Sequence, residues 1–305
     1  MKVWVGVTDK GWFEHLSLLR PDEVNFWQPG ATPPTKQLRP GDLFLFKLHS
    51  PDNYVVGGGF FVRFTRLPTR LAWEAFGVQN GVNSYGELLT RLKKYRREAG
   101  AGDPEIGCNI LNAPFFLPKS EWIPIPEDWK SNIVRGKTYD TGHAIGAALY
   151  DAVCAAMRQQ APEEVIETEA EESYSSPYLT RARLGQGTFR VLVTDAYHRR
   201  CAVTGEKTLP VLEAAHIRPF AEEGPNHVDN GLLLRADLHR LFDAGYVTVN
   251  PDLRFQVSHR IKDDYENGRE YYAMQGKPLI VVPESPLERP SRAQLRWHND
   301  NIFRG

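Results

Sequence analysis

Two histidines and one asparagine in the last third of the chain are the residues best suited to chemistry. His216 lies in LEAAHIRPF, Asn230 in HVDNGLLL and His239 in RADLHRLFDAG. A neutral imidazole can take a proton from water near pH 7. Imidazole and oxygen ligands can also hold a divalent metal that stabilises charge on a phosphate. An amide can fix a backbone turn or ligate that metal. The set therefore predicts phosphodiester hydrolysis.

The elements around these residues can bring them to one point. Fourteen positions separate His216 from Asn230, and nine separate Asn230 from His239. The apolar pattern predicts a helix at GTFRVLVTDAYHRR, strands at CAVTG and VLEAAHI, a helix at LLLRADLHRLFDAG, and strands at YVTVN and RFQVS. His227 and His298 lie outside the three segments, and we interpret them as non-catalytic.

The segments AAHI, NGLLL and DLHRLFD, in this order, resemble the HNH endonucleases of the ββα-metal type, over residues 185–303. The resemblance implies that His216 is the general base and that His239 ligates Mg²⁺ or Mn²⁺. Asn230 would orient the loop of the base or approach the metal. The implied substrate is double-stranded DNA. Because a single site cuts one strand at a time, a homodimer is a further expectation.

One position departs from this family. Many members carry Asp or a second His directly before the base, as a metal ligand, and this sequence has Ala215. Asp243 lies four residues beyond His239 and therefore on the same helix face, whereas Glu213 lies on the preceding strand. Nuclease colicins take a second ligand one helical turn after the first. Asp243 is therefore the preferred replacement, and Glu213 is the alternative.

Two arginines near these segments are candidate phosphate contacts. Arg218 follows the proposed base, and Arg240 follows His239. The planar guanidinium group suits phosphate oxygens, although either residue could equally be a solvated surface side chain.

The first half of the chain is rich in aromatic residues at predicted turns. Its segments VWVGVT, NFWQPG and RPGDLFLFKL resemble PUA-like domains, including the EVE and SRA branches that read modified bases. The resemblance implies a mixed β-barrel. A protein that reads a modified base must usually take it out of the stack into a pocket with aromatic walls and polar groups. Trp12, Asn25 and Trp27 are the candidate residues of such a pocket.

The charge distribution divides the chain. Residues 1–160 carry a net charge of +3, residues 161–180 carry −6, and residues 181–305 carry +2. The acidic segment is rich in Glu and Ser, and too little of it is apolar to offset the entropy of ordering. We therefore predict an α+β protein with a PUA-like domain at 1–160, a linker at 161–180 and an HNH domain at 181–305.

Composition excludes several classes of protein. A formal net charge of −1 argues against a non-specific nucleic-acid coat protein. The three cysteines form no C-x-x-C pair, so no structural zinc is expected. No apolar run approaches the roughly 20 residues of a spanning helix, and no secretory signal is recognisable. A cytoplasmic protein is expected.

The leading hypothesis is a modification-dependent restriction endonuclease. A reader tethered to a sequence-tolerant nuclease raises the local concentration of the nuclease near marked DNA. Two alternatives remain open. The chain could be a less selective HNH nuclease or nickase, such as a defence effector or mobile-element enzyme. It could also be a DNA-binding module with a degenerate nuclease half, which Ala215 would favour.

Overall fold

The chain divides into two compact units, Met1–Ala182 and Arg183–Gly305. The computed structural model describes residues 1–30, 32–33, 38–95, 103–160 and 185–305, and the predicted linker at 161–180 lies outside them. Helices and strands occur in both units, so the fold is mixed α+β. In the described ranges, no helix is both long enough and apolar enough to cross a bilayer.

The first unit is built on one mixed sheet. Its strands run in the order β2-β5-β4-β3-β1-β7, with β6 added beside β4. The pair β1 and β3 is parallel, and the other pairs are antiparallel. The strands are β1 (Lys2–Thr8), β2 (Glu23–Gln28), β3 (Leu43–Leu48), β4 (Tyr54–Pro68), β5 (Glu105–Phe116), β6 (Ile123–Pro124) and β7 (Gly136–Asp140); the helices are α1 (Lys10–Leu19), α2 (Thr69–Phe76), α3 (Tyr85–Tyr95) and α4 (Ala144–Gln160).

Both faces of this sheet are buried. Successive side chains of a strand point to opposite faces, so Trp4 and Phe44 enter a core that contains Trp12 of α1. Their neighbours Val3 and Val5 enter a second core, which contains Leu149 and Val153 of α4. Burial on both sides explains why β3 reads as the nearly continuous apolar run LFLFKL.

The expected closed barrel is not formed, which corrects that part of the fold prediction. Strands β2 and β7 stand at the two ends of the strand order, and the described residues show no pairing between them. Aromatic rings occupy the space beside β2: Trp12 meets Phe26 edge-on, with ring centroids 5.2 Å apart. A cavity lined by residues of β1 and β2 lies next to them. Among the described residues, β2 pairs with β5 and β7 pairs with β1, so the sheet stays open between β2 and β7.

The second unit contains two short hairpins surrounded by helices. Strands β8 and β9 pair antiparallel, with His216 opposite Gly231, and β10 pairs with β11. The strands are β8 (Leu212–His216), β9 (Gly231–Arg235), β10 (Val247–Val249) and β11 (Phe255–Val257); the helices are α5 (Gln186–Ala196), α6 (Ala236–Asp243), α7 (Arg260–Tyr265), α8 (Arg269–Tyr272) and α9 (Arg292–Asn301).

Most predicted elements of this unit are confirmed, with two exceptions. The segment LLLR, predicted as the start of the helix that contains His239, belongs to strand β9, and the helix begins at Ala236. The helix predicted from GTFRVLVTDAYHRR is α5. The strand predicted at CAVTG is wrong, because residues 202–204 form a turn. Gly205 closes that turn with a φ of +71°, and its N–H donates to the carbonyl of Cys201. A left-handed glycine of this kind ends an extended run.

Helix α5 packs directly on the start of β9. A Cβ atom on Gly231 would lie only 2.4 Å from Cγ2 of Val193. Val193 and Phe189 of α5 belong to the same buried cluster as Leu232 of β9 and Leu238 of α6. This close approach places α5 against the β8–β9 hairpin, whose first strand ends at His216.

Candidate active site

The β8–β9 hairpin and α6 bring His216 and His239 to one cavity. His216 is the last residue of β8, and His239 lies on α6, which begins directly after β9. The cavity has a volume of about 220 Å³. Its lining residues are His216, Pro219, His239, Asp243, His298 and Ile302.

His216 is held on two sides. Its ring stacks on Phe189, with centroids 3.8 Å apart and planes 12° apart. Its Nε2 lies 2.8 Å from Oδ1 of Asn226. Burial lowers the pKa of His216; the nearby His239 adds to this, while Asn226 and Asp243 oppose it. The imidazole is therefore neutral near pH 7, which is the form a general base needs.

Asn230 lies outside this cavity and fixes the backbone beside it. The side chain is fully buried. Its Oδ1 accepts from the backbone N–H of Arg218 at 2.9 Å, and its Nδ2 donates to the carbonyls of Arg218 and Pro225 at 3.0 and 2.9 Å. These bonds match the loop-orienting role. They speak against the metal-ligand role, because ligation would require the amide to leave its backbone partners.

His239 lies between two carboxylates. Its Nδ1 is 2.7 Å from Oε2 of Glu213, and its Nε2 is 3.3 Å from Oδ2 of Asp243. Burial raises the pKa of Asp243, as does the charge of Glu213, while His239 and His216 lower it. Glu213 and Asp243, the two candidate replacements for the ligand missing at Ala215, therefore both contact His239. Glu213 contacts Nδ1 and Asp243 contacts Nε2.

The donor set around Nε2 of His239 fits a divalent cation. Ligand bonds of about 2.1 Å place two adjacent ligand atoms roughly 3.0–3.4 Å apart. The 3.3 Å separation between His239 and Asp243 falls in that range. Within the described ranges, no three His, Cys, Asp or Glu side chains form a metal-binding group. Water and phosphate oxygens would therefore complete the coordination, as is usual for Mg²⁺.

Ala215 is fully buried in the core of the second unit. It stands two residues after Glu213 on β8, and alternate residues of a strand share one face. Glu213 and Ala215 therefore share one face of β8. The side chain of Ala215 is only a methyl group, whereas Glu213 provides a carboxylate that contacts His239. The departure from the family pattern is accompanied by a carboxylate two residues earlier.

The two arginines predicted to contact phosphate differ in their surroundings. The Nε of Arg218 donates to the carbonyl of Glu222 at 2.6 Å, and its guanidinium carbon lies 5.2 Å from the ring centroid of Trp297. Arg240 is exposed on α6, one residue after His239. Arg218 is thus anchored beside the cavity, whereas Arg240 extends into solvent.

His298 lines the cavity although it lies outside the sequence motif. Its Nδ1 contacts Thr248 Oγ1 at 2.8 Å, its Nε2 contacts the carbonyl of Phe242 at 3.2 Å, and its ring stacks on Phe242. Burial lowers the pKa of His298 to about 4. Because both nitrogens are occupied by core partners, His298 supports α6 and does not supply a base.

The first unit contains a separate cavity of about 230 Å³ beside β2. Two of the three predicted pocket residues, Trp12 and Trp27, line it. The indole N–H of Trp27 donates to the carbonyl of Asn80 at 3.0 Å. The same cavity is lined by polar residues that were not predicted, among them Asp9 and His49. The N-cap position of Asp9 before α1 is a local sequence signal that marks it. The full lining is Val7, Thr8, Asp9, Trp12, Phe26, Trp27, Gln28, Pro29, His49, Tyr95, Val134 and Arg135.

Asn25, the third predicted pocket residue, does not line this cavity. The side chain is fully buried, and its Nδ2 donates to Oδ1 of Asn80 at 2.9 Å and to Sγ of Cys108 at 3.3 Å. Asn80 in turn donates to two backbone carbonyls. Asn25 therefore joins β2 to the turn at Asn80, the residue whose carbonyl also accepts from the indole of Trp27.

Comparison with known proteins adds a family assignment for the second unit. Residues 201–250, which include His216, Asn230, His239 and Asp243, match the family model HNH_2, described as "HNH endonuclease". No curated protein matches the chain. A solved structure titled "Modification dependent TagI restriction endonuclease" is similar over 92% of this chain and 75% of that chain, with 15% identity and a TM-score of 0.28. That similarity is too low to carry an argument. The family match shows that the chain carries an HNH endonuclease domain and is a nuclease.

Proposed function

We propose that this chain is a metal-dependent DNA endonuclease in which His216 is the general base. The observation that carries the proposal is the convergence of His216, His239 and Asp243 on one cavity of about 220 Å³. His216 is neutral near pH 7 because it is buried. A base and a cation-binding pair thus face the same space, as hydrolysis of a phosphodiester requires.

The cleavage step follows from these positions. His216 takes a proton from a water molecule while the water oxygen attacks phosphorus. The bond from phosphorus to the 3′ oxygen breaks, its electron pair leaves with that oxygen, and solvent protonates it. His239 and Asp243 would hold a divalent cation, which would supply positive charge to stabilise the phosphate and the departing oxygen. Arg218 and Arg240 contact the neighbouring phosphates.

The role of His216 is tested by comparing two histidine variants. His216→Ala should lower the single-turnover rate of cleavage in Mg²⁺ or Mn²⁺ by about 10²- to 10⁴-fold, the usual contribution of a general base, and leave DNA binding intact. His227→Ala is the matched control, because His227 is exposed outside the cavity. Full cleavage by His216→Ala would remove His216 from the role of base.

We also propose that the first unit is a PUA-like reader that accepts a modified base in the cavity beside Trp27. Supporting this, Trp12, Phe26 and Trp27 give the cavity aromatic walls, and Asp9 and His49 give it polar groups. An extruded base needs both, because it stacks on aromatic rings and forms hydrogen bonds along its edge. In this proposal the enzyme is a restriction endonuclease that depends on DNA modification.

The proposed binding of a modified base by the first unit is tested with matched DNA duplexes and two tryptophan variants. The duplexes are unmodified or carry 5-methylcytosine, 5-hydroxymethylcytosine, its glucosylated form, N6-methyladenine or phosphorothioate linkages. Trp27→Ala should reduce the preference for the modified duplex. Trp122→Ala is the control, because Trp122 is also half-buried and also donates its indole N–H to a carbonyl, that of Leu117.

The same assay separates the alternatives. Equal cleavage of all duplexes by the native chain would favour a non-selective nuclease or nickase. An absence of cleavage together with an absence of metal binding would favour a degenerate nuclease half. Double-strand breaks require two cuts, so the proposal includes a homodimer on DNA, which sedimentation velocity of the complex would detect.

A further inference from the structure

Asn226 contacts the ring of the proposed base. Its Oδ1 lies 2.8 Å from Nε2 of His216, and the residue is only 7% exposed. Nothing in the three sequence segments marks this position, because Asn226 lies in the loop between β8 and β9. A buried amide that meets one nitrogen of a catalytic imidazole can decide which nitrogen carries the proton.

We propose that Asn226 is a positioning residue that holds His216 protonated at Nε2, so that Nδ1 is the nitrogen that takes the proton from water. The inference rests on the proposed role of His216. An amide oxygen only accepts hydrogen bonds, so the Nε2 that faces it must carry hydrogen. A neutral imidazole has one such hydrogen, and the lone pair is therefore left on Nδ1.

The contacts around His216 restrict the remaining freedom of the ring. Stacking on Phe189 fixes the plane of the imidazole, but the ring keeps the same plane when it flips over by rotation about its Cβ–Cγ bond. The hydrogen bond at Nε2 opposes that rotation. Fixing both the plane and the rotation gives Nδ1 a single direction.

Asn230 fixes the loop that carries Asn226. Its amide holds the backbone N–H of Arg218, two residues after His216, and the carbonyl of Pro225, one residue before Asn226. The backbone close to His216 and the backbone next to Asn226 are therefore bonded to the same buried side chain. Asn230, the residue recognised in the sequence, acts on the base through Asn226.

The tautomer is measured directly by NMR on the full chain with ¹⁵N-labelled histidine. The His216 signals are identified by their loss in His216→Gln. We expect Nε2–H in the native chain and in Asn226→Asp, whose carboxylate also accepts. In Asn226→Ala we expect both tautomers. A native chain protonated at Nδ1, or an Asn226→Ala variant with an unchanged tautomer, would overturn the inference.

Cleavage provides a second readout. Asn226→Ala should lower kcat by roughly 10- to 100-fold, the size typical of losing a group that orients another. Asn226→Asp should keep cleavage but move the rising limb of the pH profile to higher pH, because its carboxylate stabilises the imidazolium. His239 and Asp243 are the other charged groups that act on His216, and neither variant alters them.

A loop asparagine elsewhere in the unit is the control. Oδ1 of Asn250 accepts from the backbone N–H groups of Asp252 and Arg254, so Asn250→Ala removes a loop contact far in sequence from the base. Asn250→Ala should leave the rising limb of the pH profile of cleavage at the same pH as in the native chain. Native cleavage by Asn226→Ala would overturn this inference alone. If the native chain cuts no duplex, the proposed function fails, and the NMR result still decides the tautomer.

Discussion

Glu213 and His239 are joined by a hydrogen bond of 2.7 Å between a carboxylate oxygen and Nδ1 of the imidazole. The two residues are 26 positions apart, on β8 and α6. A carboxylate behind a ligating histidine fixes its tautomer and makes the other nitrogen more basic. Here the other nitrogen, Nε2, faces Asp243. In the proposed site, Glu213 would orient the histidine, and Asp243 would hold the cation together with it.

Removal of the orienting carboxylate should weaken metal binding. We expect Glu213→Ala to lower the affinity of the full chain for Mn²⁺ by roughly 10- to 100-fold, measured by calorimetry. Glu270→Ala is the control, because Glu270 is exposed on α8. Equal affinities of Glu213→Ala and the native chain would show that Glu213 does not act through His239.

Removal of the proposed ligand should have a larger effect. Asp243→Asn should lower Mn²⁺ affinity by at least about 100-fold, more than the loss of an orienting group. His259 and Asp263, at the start of α7, provide a matched control. They have the same spacing of four residues and an Nε2–Oδ2 distance of 3.7 Å, but both side chains are exposed. Asp263→Asn should bind Mn²⁺ normally. If Glu213→Ala weakened binding more than Asp243→Asn, the assignments of ligand and orienting group would be exchanged.

The cleavage rate should depend on pH through His216. Burial lowers the pKa of His216, so the base stays neutral somewhat below the ordinary value of about 6.5. We expect kcat/KM, which reports groups of the free enzyme, to be flat near pH 7 and to fall at lower pH, with a midpoint below 6.5. A midpoint above 6.5 would contradict the burial argument.

His298 should make the second unit less stable in acid. Its pKa is about 4 in the folded chain and about 6.5 when unfolded. A lowered folded pKa means that the stabilisation is present above pH 6.5 and is lost as the pH falls from 6.5 toward 4. The full loss is on the order of 3 kcal/mol. Urea unfolding between pH 7 and pH 4.5 measures the slope, which should be shallower in His298→Gln; parallel slopes would assign the acid sensitivity to other groups.

Local apolar spacing was enough to predict helix α5, strand β8 and the helical part of the segment that carries His239. Strand β9 was predicted as helix, because its apolar residues run directly into α6 and its strand geometry comes from pairing with β8. The turn at 202–204 was missed, because its apolar letters look like a strand and only the left-handed Gly205 ends the run. The open sheet was also not predicted, because strand order depends on pairing between segments far apart in the chain, such as β2 with β5.

The sequence by itself determined the residue types of the site: two imidazoles, one amide and a carboxylate one helical turn after His239. These follow from spacing along single elements. The tertiary structure decided their partners, because Glu213 and His239, or Asn226 and His216, meet only when the hairpin closes and α6 packs on it. It also left Asn25 out of the cavity that Trp27 lines, since the buried amide of Asn25 is bonded to Asn80. The spacing of residues in the sequence indicates which functional groups are available. Tertiary packing determines which nitrogen or oxygen atom each of these groups faces.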